Sequence, residues 1–216
     1  IMDNVSDDTK IIILSDHGFT SFERGVNLNN WLLDNGYLTL KDGFTPGKDD
    51  GSLFAGIDWS KTQAYSAGFT GIYLNLKGRE QQGIVTQKAH ITKELMDKLA
   101  GLKDPKYNTS VFAGVYTRDN VWSGPYVDNA VDIVVGFNKG YRVSWENALG
   151  DLNKQTLVDN NRYWSGTHLV DPSHVPALLI TNFVYTQKPK TQDIAPTVLS
   201  LFNISAPQHY EGSKIS

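Results

Sequence analysis

The stretch "IIILSDHGF", residues 11–19, combines a strand pattern with two polar side chains at its end. Its four leading apolar residues are typical of a strand covered on both faces, as in a parallel sheet. Asp16 and His17 follow almost at once, and Gly18 permits a backbone turn that would let both side chains face one ligand. Ligands of open parallel sheets bind beyond the carboxyl ends of the strands, so this stretch predicts a functional sheet edge.

Asp16 and His17 allow a metal-binding and a structural interpretation. A carboxylate oxygen and an imidazole nitrogen form a ligand pair suited to zinc, manganese or iron. In the structural alternative, Asp16 caps the following turn and His17 packs against the sheet edge. The dipeptide by itself favours the structural alternative, because short motifs often arise by chance.

Composition limits the class of protein. The 216 residues carry a formal net charge of −3 and fit one large domain or one domain with an insertion. Without a Lys/Arg-rich run, a nucleic-acid polymer is not the expected partner. The lack of cysteine excludes disulfides, thiolate metal sites and cysteine nucleophiles. No apolar run reaches the roughly 18 residues of a membrane span.

The first ten residues, "IMDNVSDDTK", contain no initiator methionine at the start and no signal peptide. A strand pattern follows directly. We therefore expect the chain to be a piece of a longer polypeptide.

Strand and helix patterns alternate along the chain and predict an α/β fold. Helices are predicted over residues 27–35, 86–102 and 191–202. Strands are predicted over residues 10–14, 37–40, 110–117, 130–137, 141–144 and 175–182, with two more within 62–76. The turn-rich residues 41–52 predict an exposed loop.

A second candidate cluster is "YWSGTHLVD", residues 163–171. His168 follows a small Ser-Gly-Thr stretch and precedes an apolar strand, and Gly166 would let the backbone approach a ligand closely. Alone, His168 is better explained as an ordinary loop histidine. Ser165, His168 and Asp171 do not predict a hydrolase triad, because their spacing of three and the lack of a G-x-S-x-G turn do not suit one.

"SDHGF" together with the later "GTH" resembles the alkaline phosphatase superfamily, and within it the type I phosphodiesterase/nucleotide pyrophosphatase branch. The closing "DIAPTVLSLFNISAP" and "EGSKI" are similar to that branch's C-terminal helix and tail. The resemblance implies an α/β fold, with a partly parallel central sheet flanked by helices and an inserted α+β segment. Residues 1–40 would belong to the alkaline-phosphatase-like core, 41–150 to the insertion, and 151–216 to the core again.

The resemblance also implies two divalent metal ions, with zinc expected first and manganese or iron as alternatives. Asp16 and His17 would ligate the ion that activates the nucleophile, and His168 the other ion. The remaining ligands and the nucleophile should lie upstream, because the Asp171-Pro-Ser-His174 stretch has the wrong spacing for the missing Asp-x-x-x-His pair. The chain would then be the C-terminal half of a phosphoric ester hydrolase, with no catalytic nucleophile and no activity alone.

The implied substrate is a small phosphate ester or nucleotide, and the implied partner is the N-terminal half of the same polypeptide. One alternative is another superfamily member, such as a sulfatase, a phosphatase or a phosphoglycerate-mutase-like enzyme, which the upstream nucleophile would distinguish. A second is a non-catalytic binding module that retains the fold, which metal content would distinguish. The resemblance to the family favours an exported location, and the sequence itself assigns no compartment.

Aromatic and charged residues lie beside the two motifs, and their roles can also be predicted. Tyr163 and Trp164 either stack on a base or aryl leaving group or simply pack in their loop. Glu23 and Arg24 are expected to form a solvated pair.

Overall fold

A computed structural model describes residues 2–47 and 53–215 of the chain. The α-helices are α1 Leu28–Asp34, α2 Lys88–Ala100, α3 Arg118–Val121, α4 Trp145–Ala148 and α5 Ile194–Leu201. The strands are β1 Ile12–Leu14, β2 Thr20–Val26, β3 Ala64–Ala67, β4 Gly71–Leu74, β5 Lys103–Asp104, β6 Thr109–Ser110, β7 Phe112–Thr117, β8 Ile133–Phe137, β9 Gly140–Val143, β10 Leu157–Asp159, β11 Gly166–Thr167 and β12 Leu179–Thr181. Short 3-10 turns span Met2–Asn4, Val127–Asn129, Pro172–His174 and Thr191–Asp193.

The described residues form two compact units. One joins the N-terminal segment up to Gly18 with the segment that begins at Pro176, and the other is Phe19–Val175.

Strand β2 organises one sheet of the larger unit. It pairs in parallel with β9 and antiparallel with β10 and β11. Its side chains alternate: Phe22, Arg24 and Val26 are buried, whereas Ser21 and Glu23 are exposed. The β2–β9 ladder is the one parallel ladder between strands of the described residues.

A second sheet of the larger unit has the antiparallel order β3-β4-β8-β7. The β3–β4 hairpin turns at Gly68, whose φ of 71° is a left-handed conformation that glycine adopts at little cost. Helix α2 contacts β7 and buries Leu95 and Leu99 completely, as their spacing of four predicts.

The hydrophobic core of the larger unit draws on both sheets and on α1 and α2. Its fully buried large side chains include Phe137 on β8, Leu28 and Leu32 on α1, and Ile72 on β4. The mixed α/β prediction is confirmed, with several sheets, one of them partly parallel, and with helices. A single central sheet with an inserted segment over 41–150 stays a prediction.

The smaller unit differs from the sequence prediction in the environment of its strands. Strands β1 and β12 form where expected, but they pair antiparallel with each other, with Ile13 opposite Ile180. Ile13 is 52% exposed and Ile180 is 50% exposed, so the prediction of strands buried on both faces is wrong within the described chain. Apolar runs indicate strands, but they do not show which chain segment covers them.

The predicted strand over residues 37–40 is wrong, and the predicted loop over residues 41–52 is described only in part. Residues 37–40 form no strand; Tyr37 and Leu38 are buried, and Leu40 makes an isolated antiparallel bridge to Ile57. The predicted loop 41–52 is turn-rich over residues 41–47, and its remainder lies outside the described residues.

Candidate metal-ligand pair

Asp16 and His17 follow the end of β1 at a bend in the smaller unit. The amide of His17 donates a hydrogen bond to Asp16 Oδ1 at 3.0 Å. The second carboxylate oxygen, Oδ2, lies 3.3 Å from His17 Nε2. The adjacent side chains therefore face each other, as two ligands of one ion would have to do.

Ser15 fixes the chain just before this pair. Its amide donates to the Leu178 carbonyl at 3.0 Å, and its hydroxyl accepts from the Leu178 amide at 2.9 Å. The hydroxyl thus extends the β1–β12 ladder by one more pair of contacts. This is a structural role.

The imidazole of His17 is oriented from its other nitrogen. Nδ1 lies 2.9 Å from the Gly18 carbonyl oxygen, which can only accept, so Nδ1 carries the hydrogen in this contact. In the neutral ring, Nε2 then holds the lone pair. A backbone carbonyl on the distal nitrogen is a common arrangement for metal-ligating histidines.

The distance between Nε2 and Oδ2 fits ligands of one small cation. Two atoms at 2.0–2.1 Å from a tetrahedral ion are about 3.3 Å apart, which matches the separation of these two atoms. A proton on Nε2 would also satisfy the contact. Asp16 is mostly exposed and His17 is partly exposed, so the pair can accept further ligands from elsewhere.

The pair by itself is not a complete site. Over residues 2–47 and 53–215, no group of three or more His, Asp or Glu side chains is placed to hold a metal ion. A structural zinc site has four ligands and a catalytic one has three plus an open position. Other groups must complete any site that includes Asp16 and His17.

His168 lies in the larger unit, directly after β11. Thr167 is buried and its hydroxyl accepts a hydrogen bond from the Leu169 amide at 3.1 Å, which holds the backbone on both sides of the exposed His168. The ring of His168 contacts Phe19 edge to face, with ring centres 5.4 Å apart. Its predicted convergence with Asp16 and His17 stays a prediction.

Gly166 lies beside open space, and its predicted close approach to a ligand stays a prediction. A Cβ at Gly166 would meet no atom of the described chain within 4 Å. Tyr163 and Trp164 are exposed and contact each other edge to face. The stacking interpretation of these two rings stays a prediction.

Asp171 accepts hydrogen bonds that stabilise the local fold. It is buried, and its Oδ1 accepts from the amide and hydroxyl of Ser173, while Oδ2 accepts from the Tyr116 hydroxyl at 2.8 Å. Burial raises the pKa of this carboxyl, but the hydrogen bonds from Ser173 and Tyr116 outweigh it and leave the pKa below its usual value. The geometry assigns Asp171 to capping and gives it no role as the orienting acid of a triad.

A model of the family described as "Type I phosphodiesterase / nucleotide pyrophosphatase" matches residues 1–168. The chain belongs to this family. No curated protein and no solved structure gives a significant match.

The type I phosphodiesterase/nucleotide pyrophosphatase family hydrolyses phosphoric esters, which agrees with the resemblance drawn from "SDHGF" and "GTH". The match includes Asp16 and His17, runs through residues 41–150, which no motif assigns, and ends at His168. The predicted similarity of the closing helix and tail lies beyond the matched residues and stays a prediction. Within the described residues, no helix is both long and apolar enough to cross a bilayer.

Two buried arginines are absent from the sequence-based candidates. Arg24 was expected to be solvated, but it is buried and donates to Asp104 at 2.8 Å and Asp159 at 2.5 Å. Arg142 on β9 is also buried, between Tyr141 and Val143. A signal existed for Arg24, which shares the inward face of β2 with Phe22 and Val26. Strand β9 is buried at Tyr141, Arg142 and Val143 alike, so alternation gives no signal for Arg142.

Proposed function

We propose that the chain is the C-terminal part of a metal-dependent phosphodiesterase/nucleotide pyrophosphatase that hydrolyses small phosphate esters or nucleotides. Asp16 and His17 ligate one divalent cation, and His168 ligates a second. Zinc is the expected metal, with manganese or iron as alternatives. The N-terminal part of the same polypeptide supplies the nucleophile and the remaining ligands.

The geometry of the Asp16–His17 pair carries this proposal. Family membership accounts for phosphoric ester chemistry, and the 3.3 Å separation of Oδ2 and Nε2 fits two ligands of one ion. The Gly18 carbonyl on Nδ1 makes Nε2 the ring nitrogen that faces Asp16 Oδ2, as in histidines that ligate a metal through Nε2. Carboxylate and imidazole donors also suit zinc better than magnesium or calcium, which prefer oxygen alone.

Paired divalent ions, when bound, neutralise phosphate charge and lower the pKa of the attacking hydroxyl. The residues of this chain have simpler roles. Asp16 places a negative charge beside the imidazole of His17, and the Gly18 carbonyl holds that ring in one orientation. Buried Thr167 positions His168 on the surface of the larger unit.

The requirement for an N-terminal part draws support from β1 and β12. Both strands carry exposed apolar side chains, including Ile13, Leu14 and Ile180, in a sheet of only two strands. Two-stranded sheets are marginal without further cover. We propose that residues 1–40 and 151–216 belong to a core completed by the N-terminal part, with 41–150 inserted between them.

The test uses the complete polypeptide with three single variants, Asp16→Asn, His17→Gln and His168→Gln. We expect each variant to lower hydrolysis of bis-p-nitrophenyl phosphate by at least about 100-fold and to lose bound metal. Changing a residue that only hydrogen-bonds to a metal ligand costs 10–100-fold, and removing the ligand itself should cost more. Metal content is measured by mass spectrometry on the dialysed protein.

His90→Ala is the matched control. His90 lies exposed on α2, 3.9 Å from Glu94, and its removal should leave metal content and activity unchanged. Full activity in Asp16→Asn or His17→Gln would refute the ligand assignment. At most one weakly bound ion in the complete polypeptide, together with no hydrolysis, would instead favour a binding module.

The isolated 216-residue chain gives a second test. Because it lacks a nucleophile in this proposal, we expect no hydrolysis of bis-p-nitrophenyl phosphate above the rate without protein, even with added zinc. Zinc-dependent turnover by the isolated chain would contradict the assignment of the nucleophile to the upstream part.

A further inference from the structure

The larger unit contains a small cavity of about 210 Å³ beside β2 and β9. Its lining includes Arg142 and Arg162, the ring of Trp145, and the side chains of Asn153 and Asn160. Sites for drug-sized ligands are larger, at roughly 300–1,000 Å³, so this cavity suits a small polar group.

Arg142 is the unusual member of this lining. It is only 5% exposed, yet within the described chain it forms no ion pair with a carboxylate. Its hydrogen bonding there is confined to Nε, which donates to the Val143 carbonyl at 3.1 Å. A guanidinium has five N–H donors, so the four on Nη1 and Nη2 have no protein acceptor within the described residues.

Aromatic rings hold the Arg142 guanidinium in place. Its central carbon lies 4.3 Å from the ring centre of Trp145 and 5.0 Å from that of Phe22. Such cation–π contacts stabilise the charge through ring faces and do not use the N–H donors. The donors of Arg142 are therefore positioned without being consumed.

A second positive charge lies nearby. Arg162 contacts the same Trp145 ring at 6.0 Å and donates to Glu146 Oε1 at 3.4 Å. Burial, and then the charge of Arg162, lower the pKa of Arg142. Two like charges share one cavity.

The carboxylates of the cavity already have partners. Glu146 faces Arg162, and Asp159 accepts from Arg24 at 2.5 Å and from Lys106 at 2.9 Å. Neither forms an ion pair with Arg142 in the described residues. Buried charges are ordinarily paired or hydrogen-bonded, whereas Arg142 has no carboxylate counter-ion within the described residues.

We propose that Arg142 and Arg162 form a binding site for a phosphate-type oxyanion in this cavity. Arginine forks match the oxygens of phosphate with paired N–H donors, and the desolvated setting strengthens each bond. The ligand is either free inorganic phosphate or a phosphoryl group on a larger molecule whose remainder extends into solvent. The cavity holds only the phosphoryl group in either case.

The test measures binding of inorganic phosphate to the protein by isothermal titration calorimetry, with a chelator present to remove metal ions. We expect saturable binding that sulfate competes and chloride at equal ionic strength does not. Arg142→Gln and Arg162→Gln should each weaken phosphate binding at least about tenfold. Nucleoside monophosphates are titrated in parallel, and tighter binding than inorganic phosphate would identify a phosphoryl group on a larger ligand.

Arg118→Gln is the matched control, because the guanidinium of Arg118 is already paired with Asp128. It should bind phosphate as the unaltered protein does. Since Arg142 is buried, Arg142→Lys is a second variant that keeps the charge and loses the fork; we expect it to fold and still bind more weakly.

Unchanged phosphate affinity in the folded Arg142→Lys and Arg162→Gln variants would overturn the proposal, and so would no saturable binding to the unaltered protein. Asp16→Asn should retain phosphate binding in the chelator. Failure of this site is thus distinguishable from failure of the proposed hydrolase function.

Discussion

Asp132 is a buried carboxylate held by three kinds of donor. Its oxygens accept from Arg79 Nη2 at 2.7 Å, from the Leu74 amide at 2.8 Å and from Lys88 Nζ at 2.9 Å. Burial raises the pKa of this carboxyl, but the bonds from Arg79, Leu74 and Lys88 outweigh it, and the pKa lies below its usual value. The ionised form is therefore favoured by folding.

We predict that Asp132→Asn lowers the free energy of unfolding by about 3 kcal/mol at pH 7, the low end for a broken buried pair because Arg79 and Lys88 remain partly hydrated. The pKa is lower in the folded state than in the unfolded state, so the contribution is complete above about pH 4 and is lost as pH falls through the folded pKa. Urea unfolding at pH 7, 5, 4 and 3 measures it.

Asp97→Asn serves as the control, since its pair with Lys93 is exposed and should contribute little at any pH. A difference between unaltered protein and Asp132→Asn that is as large at pH 3 as at pH 7 would contradict this account.

The site residues show what a single sequence reveals at the residue scale. Asp16 and His17 stand out because two costly polar groups follow an apolar run. Arg142 did not stand out, because its lack of a carboxylate depends on which segments fold around it. Asp159 and Glu146, which lie near it in the cavity, are engaged by Arg24 and Arg162 through contacts that no local pattern encodes.

At the scale of elements, asparagine side chains tie α1 to β3 and α4. Asn29 is fully buried, and its side chain donates to the Ser66 carbonyl at 2.9 Å and accepts from the Ser66 amide at 2.7 Å. Its own amide donates to Asn147 Oδ1 at 2.8 Å. Asn29 thus completes the backbone bonding of β3 as another strand would.

We predict that Asn29→Ala lowers the free energy of unfolding by roughly 2–4 kcal/mol, because it leaves a buried N–H and a buried C=O of Ser66 without partners. Chemical denaturation followed by circular dichroism measures the change. Asn35→Ala, at the exposed end of the same helix, should cost under about 1 kcal/mol. Equal effects of the two variants would show that the contacts of Asn29 with Ser66 do not contribute to the free energy of unfolding.

Most elements could be predicted from local patterns, and their partners could not. The helices α1, α2 and α5 and the strands β3, β4, β7 and β8 appear close to their predicted positions, because apolar spacing of 3.6 or 2 residues is a local property. The antiparallel pairing of β1 with β12 is non-local, and residues 37–40 bury Tyr37 and Leu38 without joining a ladder.

At the scale of the whole chain, the two units differ in how well they bury their strands. In the larger unit, β8 buries Ile133, Val135 and Phe137 completely. In the smaller unit, the β1–β12 sheet leaves Ile13 and Ile180 about half exposed. Local stability follows buried apolar contact, so the two sheets should open independently.

We predict that amides of β1 and β12 exchange with solvent at least about 100-fold faster than those of β8, when intrinsic rates are taken into account. Native-state hydrogen exchange of the 216-residue chain followed by mass spectrometry or NMR measures this. Similar protection of the two sheets would contradict it and indicate one cooperative unit. The amides of β7, hydrogen-bonded to β8, provide an internal reference.

The position of β2 in its sheet has a consequence for biosynthesis. This strand leaves the ribosome more than a hundred residues before its neighbours β9, β10 and β11. At translation speeds of about 5–20 residues per second, β2 waits on the order of ten seconds for its neighbours. The charges of Glu23 and Arg24 discourage pairing with foreign chains during that interval. The sheet can therefore close only after β9, β10 and β11 have left the ribosome.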